Sequence, residues 1–265
     1  MNPSPNPVAA PILEISHLKK SFGPREVLRD VSFSVPAGAI LSILGRSGTG
    51  KSVLLKCIVG LLKSDAGDVS YKGSSLANPS ALSALRQTAS YVFQQNALFD
   101  SSTVYENVLL PLQARRRGTR AEWDMRVRSI LGRLELADAA QRYPSELSGG
   151  MQKRLAVARA LVTDPELVFF DEPTAGLDPL RRNAVFEMIA KLQQESKFTA
   201  IVVTHDVQEA LVVSSRILWL DAGDVRFEGT SADFSESRDP DICAFRDNIE
   251  ALREAVRSMQ TNAAH

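Results

Sequence analysis

The chain has 265 residues, 44% of them hydrophobic, which is enough for one substantial core and too few to require several domains. Its 31 basic and 31 acidic residues cancel, so net charge gives no reason to expect a nucleic acid or an anionic membrane surface as the main partner. The two cysteines lie far apart in sequence, which favours a reducing compartment and no disulfide.

The N-terminal segment, residues 1–11, has neither a basic start nor a continuous apolar stretch. It therefore predicts a proline-rich disordered leader and not a signal peptide. Nowhere does an apolar run approach the roughly eighteen residues that a membrane-spanning helix requires. If the protein serves a membrane, we expect a separate partner to cross it.

The next part of the chain, residues 12–71, is rich in β-branched and aromatic residues, which predicts a β-rich opening. Val31, Phe33 and Val35 alternate with serines, as is typical of a half-buried strand. The apolar run at 39–44 is followed by a glycine-rich turn and then by VLLKCIVGLL, which predicts a strand, a loop and a helix in succession.

That glycine-rich turn fits the pattern GxxxxGK[ST] and stands between a strand and a helix, as a phosphate-binding loop requires. Glycines allow the backbone N–H groups and the helix N-terminus to face phosphate oxygens. Lys51 would neutralise the β and γ phosphates, and Ser52 would offer its hydroxyl to Mg²⁺. The predicted ATP-binding residues of the loop are Gly45, Arg46, Ser47, Gly48, Thr49, Gly50, Lys51 and Ser52.

Between about residues 80 and 163 strand patterns thin out, and the segment 122–136 carries apolar residues at helical spacing. This predicts a helical subdomain inserted into the sheet. The one dense charge cluster, RRRGTR at 115–120, favours a solvated helix end over a specific anion site.

The segment LSGGMQ at 147–152 places two glycines directly before a predicted helix. Ser148, Gly149 and Gly150 would expose backbone N–H groups and a hydroxyl at that helix N-terminus. The sequence therefore predicts a second phosphate receptor.

Two further apolar runs, 167–170 and 200–203, each follow a helical stretch and predict buried strands of a mainly parallel α/β sheet. Asp171 and Glu172 come directly after the first run, at the carboxyl edge where open α/β sheets bind ligands. Asp171 is expected to hold Mg²⁺, and Glu172 is expected to act as the general base on the attacking water. Alone, such an acidic pair would more often cap a helix, but the phosphate loop upstream favours catalysis.

The phosphate loop, LSGGMQ, LVFFDEP, AGLD and a later THD occur in this order, and together they resemble the ABC transporter ATPase family over about residues 12–229. The resemblance implies an α/β fold, a P-loop NTPase (RecA-like) core with an antiparallel β subdomain and an inserted helical subdomain. It also implies hydrolysis of ATP with Mg²⁺. In this family the second phosphate receptor completes the site of another subunit, which implies a head-to-tail homodimer with two composite sites.

The same resemblance assigns roles to four further residues. Phe22 resembles the aromatic that stacks on adenine, with core packing as the alternative. Gln94 resembles the glutamine that senses Mg²⁺ and the attacking water. His205 resembles the histidine that contacts the γ phosphate, although a lone histidine is often structural. Asp178 in AGLD resembles the residue that joins the two sites across the dimer, and a helix N-cap fits it equally.

The transported molecule is implied only by a closer resemblance to one subfamily of these ATPases. The stretch NALFDSSTVYENVLLPL, with Phe99 and Asp100, resembles the ATPases of Mla or MCE-type systems, which move phospholipids or other hydrophobic molecules through bacterial envelopes. This implies integral membrane permease subunits, a possible substrate-binding or MCE-type partner, no nucleic acid, and a peripheral position at the cytoplasmic face of the inner membrane. The alternative is an importer of amino acids or other small solutes. A soluble ABC protein on ribosomes or DNA would need a second cassette or a coiled-coil insertion, and a non-hydrolysing regulator would not need Glu172.

The C-terminal extension, residues 230–265, carries apolar residues at alternating spacings of three and four. They are Ile242, Phe245, Ile249, Leu252, Val256 and Met259. The spacing predicts one amphipathic helix that is too short for an independent coiled coil. We expect its apolar face to pack on the neighbouring subunit, with its own domain as the alternative.

Overall fold

The computed structural model describes residues 10–247, which form one mixed sheet with helices on its faces. The strands of this region are β1 (Pro11–Phe22), β2 (Arg25–Pro36), β3 (Ile40–Leu44), β4 (Ala66–Tyr71), β5 (Ser74–Ser75), β6 (Ala89–Val92), β7 (Leu167–Asp171), β8 (Thr199–Thr204), β9 (Arg216–Asp221) and β10 (Asp224–Thr230). The helices are α1 (Lys51–Ile58), α2 (Pro79–Thr88), α3 (Val104–Arg115), α4 (Arg120–Arg133), α5 (Gly149–Leu161), α6 (Pro179–Ser196), α7 (Val207–Val213), α8 (Ser231–Glu236) and α9 (Pro240–Arg246).

The sheet joins an antiparallel part to a parallel core in the order β5-β4-β1-β2-β10-β9-β3-β8-β7-β6. Strands β1, β2, β4 and β5 pair antiparallel, whereas β9, β3, β8, β7 and β6 pair parallel. Between them, β10 pairs antiparallel with β9 and touches β2 where Arg29 N–H donates to the Gly223 carbonyl at 2.9 Å. The predicted fold class, a P-loop NTPase core with an antiparallel β subdomain, is confirmed.

The sequence pattern of each strand matches its position in the sheet. In β2, Val31, Phe33 and Val35 are buried while Ser32 is exposed, because only one face of this strand packs on the core. Strands β3, β7 and β8 are buried along their whole length. Such continuous apolar runs are typical of parallel strands covered on both faces, and they place the ends of β3, β7 and β8 side by side at one edge.

The helical insertion lies between β6 and β7. Helices α3 and α4 each begin with a capping box, at Thr103 and Thr119, which satisfies N–H groups of their first turns. Their apolar faces pack with α5 in one core cluster. The range expected for this insertion, 80–163, also holds a strand of the sheet, β6. That strand has four residues, and only Val92 is buried, so its sequence carries little strand pattern.

The first part of the C-terminal extension packs on its own subunit. The Phe245 ring stacks on Trp219 at 5.2 Å between centroids, and Ile242 is buried in the same cluster. Arg246 fastens the turn between α8 and α9 by donating to the carbonyls of Phe234 and Ser237 at 3.2 and 3.1 Å. The expectation of packing on a neighbouring subunit is therefore wrong for Ile242 and Phe245.

The remaining residues of that apolar stripe are Ile249, Leu252, Val256 and Met259, and they lie outside the described residues. The same holds for most of the predicted leader. From residue 10 to residue 247, every helix is too short or too polar to cross a membrane.

Candidate functional site

The phosphate loop connects the end of β3 to the start of α1 and lies against β2 and β9. Gly50 has φ +101°, a conformation that side chains rarely adopt, and a Cβ there would lie 2.9 Å from Val27 Cγ1. At Gly45 a Cβ would collide with the Leu220 carbonyl oxygen. Gly45 and Gly50 therefore have no room for a side chain, because β9 and β2 pack directly against the two ends of the loop.

Lys51 is buried inside the curve of the loop. Its Nζ donates to the carbonyls of Gly45 and Arg46 at 2.8 and 3.0 Å and lies 3.7 Å from Glu172 Oε1. Burial lowers the pKa of this ammonium group, and the carboxylates of Glu172 and Asp171 oppose the shift. The loop therefore holds a preorganised cation next to the acidic end of β7.

Ser52 and Asp171 bring two oxygen atoms that could bind a metal close together at the carboxyl end of β7. Ser52 Oγ donates to Asp171 Oδ1 at 2.7 Å, and the Tyr91 hydroxyl donates to Asp171 Oδ2 at 2.9 Å. Tyr91 lies on β6, and burial with the adjacent carboxylate raises the pKa of its phenol. A hydroxyl and one carboxylate suit Mg²⁺, which is usually bound through one or two carboxylates together with substrate phosphates. No cluster of three or more His, Cys, Asp or Glu side chains that could hold a metal occurs in residues 10–247.

Glu172 is held in an unusual backbone conformation. Its φ is +50°, its side chain is largely buried, and its N–H donates to the Val203 carbonyl on β8 at 2.9 Å. Its Oε2 accepts a hydrogen bond from His205 Nδ1 at 2.8 Å. Left-handed backbone at a non-glycine residue is uncommon, and where the surrounding structure enforces it, it often marks a functional site.

Behind His205 lies a buried polar network that the sequence did not predict. Asp206 Oδ2 accepts a hydrogen bond from the Thr174 hydroxyl at 2.7 Å, and its Oδ1 pairs with Arg182 at 2.6 Å. His205 Nε2 lies 3.8 Å from the same Oδ1. This network ties the β8–α7 turn to the segment after Glu172 and to helix α6.

Lys51, Ser52 and Glu172 line a cavity of about 430 Å³. Phe22 borders it with half of its surface exposed, so the ring is not a core residue. Arg25, which sequence reasoning missed, lines the same cavity, as do Gln94 and Glu172. The full lining is Phe22, Arg25, Val27, Ser47, Gly48, Gly50, Lys51, Ser52, Val53, Gln94 and Glu172. An exposed ring at one end and a phosphate loop with carboxylates at the other match the two ends of a nucleotide.

The second predicted phosphate receptor borders a different cavity. Ser148 caps α5 by accepting from Met151 N–H at 3.3 Å, and Asp178 caps α6 by accepting from Arg181 N–H at 3.1 Å. Ser148, Gly150 and Arg181 border a cavity of about 440 Å³. Of the described residues that line the phosphate-loop cavity, none comes from the 148–150 segment or from Asp178.

Comparisons with known proteins agree with this geometry. The ABC transporter family matches residues 28–175. The sulfate/thiosulfate import ATP-binding protein CysA of Escherichia coli (strain K12) is 35% identical over 254 residues, covering 94% of this chain and 68% of the relative. Its namesake from Yersinia pestis is 34% identical over 252 residues, covering 94% of this chain and 69% of the relative.

Two solved structures have the same fold. One is CbiO1 from Clostridium perfringens, part of the ABC transporter complex CbiONQ, with a TM-score of 0.79, 27% identity and coverage of 92% of this chain and 99% of the other. The second is the ATP-binding cassette MJ0796 in a dimeric post-hydrolysis state bound to ADP and Pi, with a TM-score of 0.74, 33% identity and coverage of 83% and 98%.

Proposed function

The chain belongs to the ABC transporter family as an ATP-binding and ATP-hydrolysing subunit, and from this premise we propose that it powers the import of a small solute through separate membrane permease subunits. The observation that carries this proposal is the 35% identity to a sulfate/thiosulfate importer subunit over 94% of the chain. It supports the small-solute alternative better than the phospholipid cargo expected from the stretch around Phe99 and Asp100. A small oxyanion such as sulfate is the first cargo to test.

Within one subunit, we assign nucleotide binding to the phosphate-loop cavity. The Phe22 ring is free to stack on adenine, and the loop N–H groups with Lys51 bind the phosphates. Ser52 and Asp171 would hold Mg²⁺, with Gln94, which lines the same cavity. When bound, Mg²⁺ neutralises charge on the phosphate oxygens.

Hydrolysis needs a group that accepts a proton from the attacking water, and we propose Glu172 for this role. Its carboxylate lines the cavity between Lys51 and His205. Its backbone is fixed by β8, so the carboxylate has little freedom to move away. His205 is held between Glu172 and Asp206 while half of its side chain stays exposed, which leaves it free to contact a γ phosphate.

Two copies of the chain would complete two sites. Ser148 and Gly150 border a separate cavity. With Gly149 between them, they would present N–H groups and a hydroxyl to the phosphates bound by a second subunit. The dimeric state of the similar cassette MJ0796 supports this arrangement. Asp178, at the N-terminus of α6, would join the two sites.

The permease contact is proposed at the segment from Gln94 to Val104, on the cytoplasmic face of the inner membrane. Phe99 exposes half of its surface there, and Leu98 packs on the edge of the core. Aromatic residues are enriched at protein interfaces, and Phe99 lies in the same loop as Gln94.

Replacing Phe99 with aspartate is expected to leave ATP binding unchanged and to uncouple the subunit from its permease, because a charge in a buried apolar contact costs several kcal/mol. Co-purification of tagged permease measures the effect. Val212→Asp, at an equally apolar but more exposed position on α7, serves as the control. Wild-type co-purification and transport by Phe99→Asp would count against this surface.

The cargo is tested by purifying the chain with its membrane partners and reconstituting the complex in lipid vesicles. We expect ATP-dependent uptake of radiolabelled sulfate or another small solute, and none in vesicles that carry Glu172→Gln. ATP-dependent movement of a labelled phospholipid, with no small solute taken up, would restore the lipid-transport alternative.

A further inference from the structure

Two cations of helix α5 are directed at the loop that carries Gln94. The Lys153 ammonium donates to the Gln94 carbonyl at 2.8 Å, and the Arg159 guanidinium donates to the carbonyls of Ala97 and Asn96 at 2.7 and 2.8 Å. Lys153 is 6% exposed, and burial lowers the pKa of both groups. Neither forms an ion pair with a carboxylate in the described part of the chain.

A buried cation without a counter-ion is costly, since backbone carbonyls replace only part of its hydration. Helix α5 carries one buried cation, Lys153, and one partly buried cation, Arg159, within seven residues, and both face the same loop. Core packing alone would be satisfied at lower cost by apolar side chains of similar size. We therefore interpret Lys153 and Arg159 as residues that hold the Gln94 loop in position, at a cost to the stability of the protein.

The loop itself is strained and depends on outside contacts. Asn96 and Ala97 both have positive φ, 61° and 48°. Asparagine tolerates this conformation, whereas alanine adopts it at a cost that the surroundings must offset. At the far end, Phe99 N–H donates to the buried Asn107 side chain at 2.9 Å, and Arg159 lies 5.9 Å from the Phe99 ring centroid. Arg159 thus contacts the strained turn and the exposed aromatic together.

Helix α5 also begins at Ser148, the predicted receptor for phosphates of a second subunit. At about 1.5 Å rise per residue, roughly 15 Å of rigid helix separates its N-terminus from Arg159. One element therefore joins the receptor, the Gln94 carbonyl and the Phe99 loop.

We propose that Lys153 and Arg159 are positioning residues that fix the Gln94 loop to helix α5. Phosphates received at Ser148 then set, through this helix, both the Gln94 side chain in the nucleotide cavity and Phe99 on the permease surface. The inference rests on the proposed composite site, and it adds the two residues that connect that site to the loop.

A double-mutant cycle in ATP hydrolysis tests whether Lys153 acts through Gln94. Lys153→Met is expected to lower kcat by between about 10- and 100-fold, the effect of misplacing a catalytic group by about 1 Å, and to leave KM for ATP nearly unchanged. Lys153→Arg should restore most of the rate. Lys153→Met combined with Gln94→Ala should be no slower than Gln94→Ala alone, whereas additive losses, or an unchanged kcat in Lys153→Met, would overturn the proposal.

Hydrogen exchange gives a readout that does not depend on turnover. Amides of residues 96–102 should exchange faster in Lys153→Met and Arg159→Met, with the sheet core unaffected. Arg128→Met removes an exposed cation that pairs with Asp124 on α4. It should change exchange neither in residues 96–102 nor in the sheet core. Unchanged hydrogen exchange in residues 96–102, or faster exchange throughout the protein, would contradict a positioning role for Lys153 and Arg159. Failure of the proposed composite site would differ, since Ser148→Arg protein would then hydrolyse ATP at the wild-type rate.

Discussion

Replacing Glu172 with glutamine is expected to slow ATP turnover by about 10²- to 10⁴-fold, the range that a positioned general base contributes. ATP should still bind, because the amide has the shape of the carboxylate and the phosphate loop is intact. The amide oxygen of this variant can still accept the hydrogen bond from His205, so the local geometry should persist. Phosphate release and nucleotide binding, measured on the same preparation, separate the two effects.

Glu166→Gln is the matched control, since Glu166 precedes the first residue of β7 and Glu172 follows the last. It should leave turnover close to wild type. Near-normal turnover by Glu172→Gln would assign the base to another group in the cavity.

Replacing Lys51 with alanine is expected to weaken ATP binding by roughly ten- to over a hundredfold, because charge-assisted hydrogen bonds contribute about 1.5–3 kcal/mol. The structure adds a second reason. Without the Lys51 ammonium, which lies 3.7 Å from Glu172 Oε1, the negative charge of Glu172 would repel the phosphates. Titration calorimetry with a non-hydrolysable ATP analogue measures the loss.

Lys56→Ala removes an exposed cation from the same helix and controls for a general effect of charge. Its affinity should match wild type. An unchanged affinity in Lys51→Ala would invalidate the assignment of residues 45–52 as the phosphate loop.

The parts of the fold that could be predicted are those that a short stretch of sequence determines. Strands β3, β7 and β8 are continuous apolar runs, and the phosphate loop has fixed spacing between a strand and a helix. The carboxyl edge of such strands then places Lys51, Asp171 and Glu172 together by topology alone. Strand β6 has no such pattern, because it is short and, within residues 10–247, pairs with β7 alone.

Other parts of the site depend on contacts between residues far apart in the chain. Tyr91 reaches Asp171 across 80 positions, and Thr174 reaches Asp206 across 32. Lys153 looks in the sequence like an ordinary polar residue of an amphipathic helix. Only the tertiary structure shows it buried against the Gln94 carbonyl.

The same reasoning explains the error in the C-terminal extension. The spacing of Ile242 and Phe245 correctly indicates an apolar helix face, but spacing does not say which surface covers it. Trp219 and Phe234 of the same subunit supply that surface.

The composite site is tested most directly by sedimentation of the Glu172→Gln protein, in which bound ATP should persist. With ATP and Mg²⁺ we predict a two-subunit species that holds two ATP molecules, and a single-subunit species once Ser148→Arg is added to the same chain. Glu172→Gln protein that binds ATP and remains a single subunit, or a dimer that Ser148→Arg leaves intact, would contradict the account.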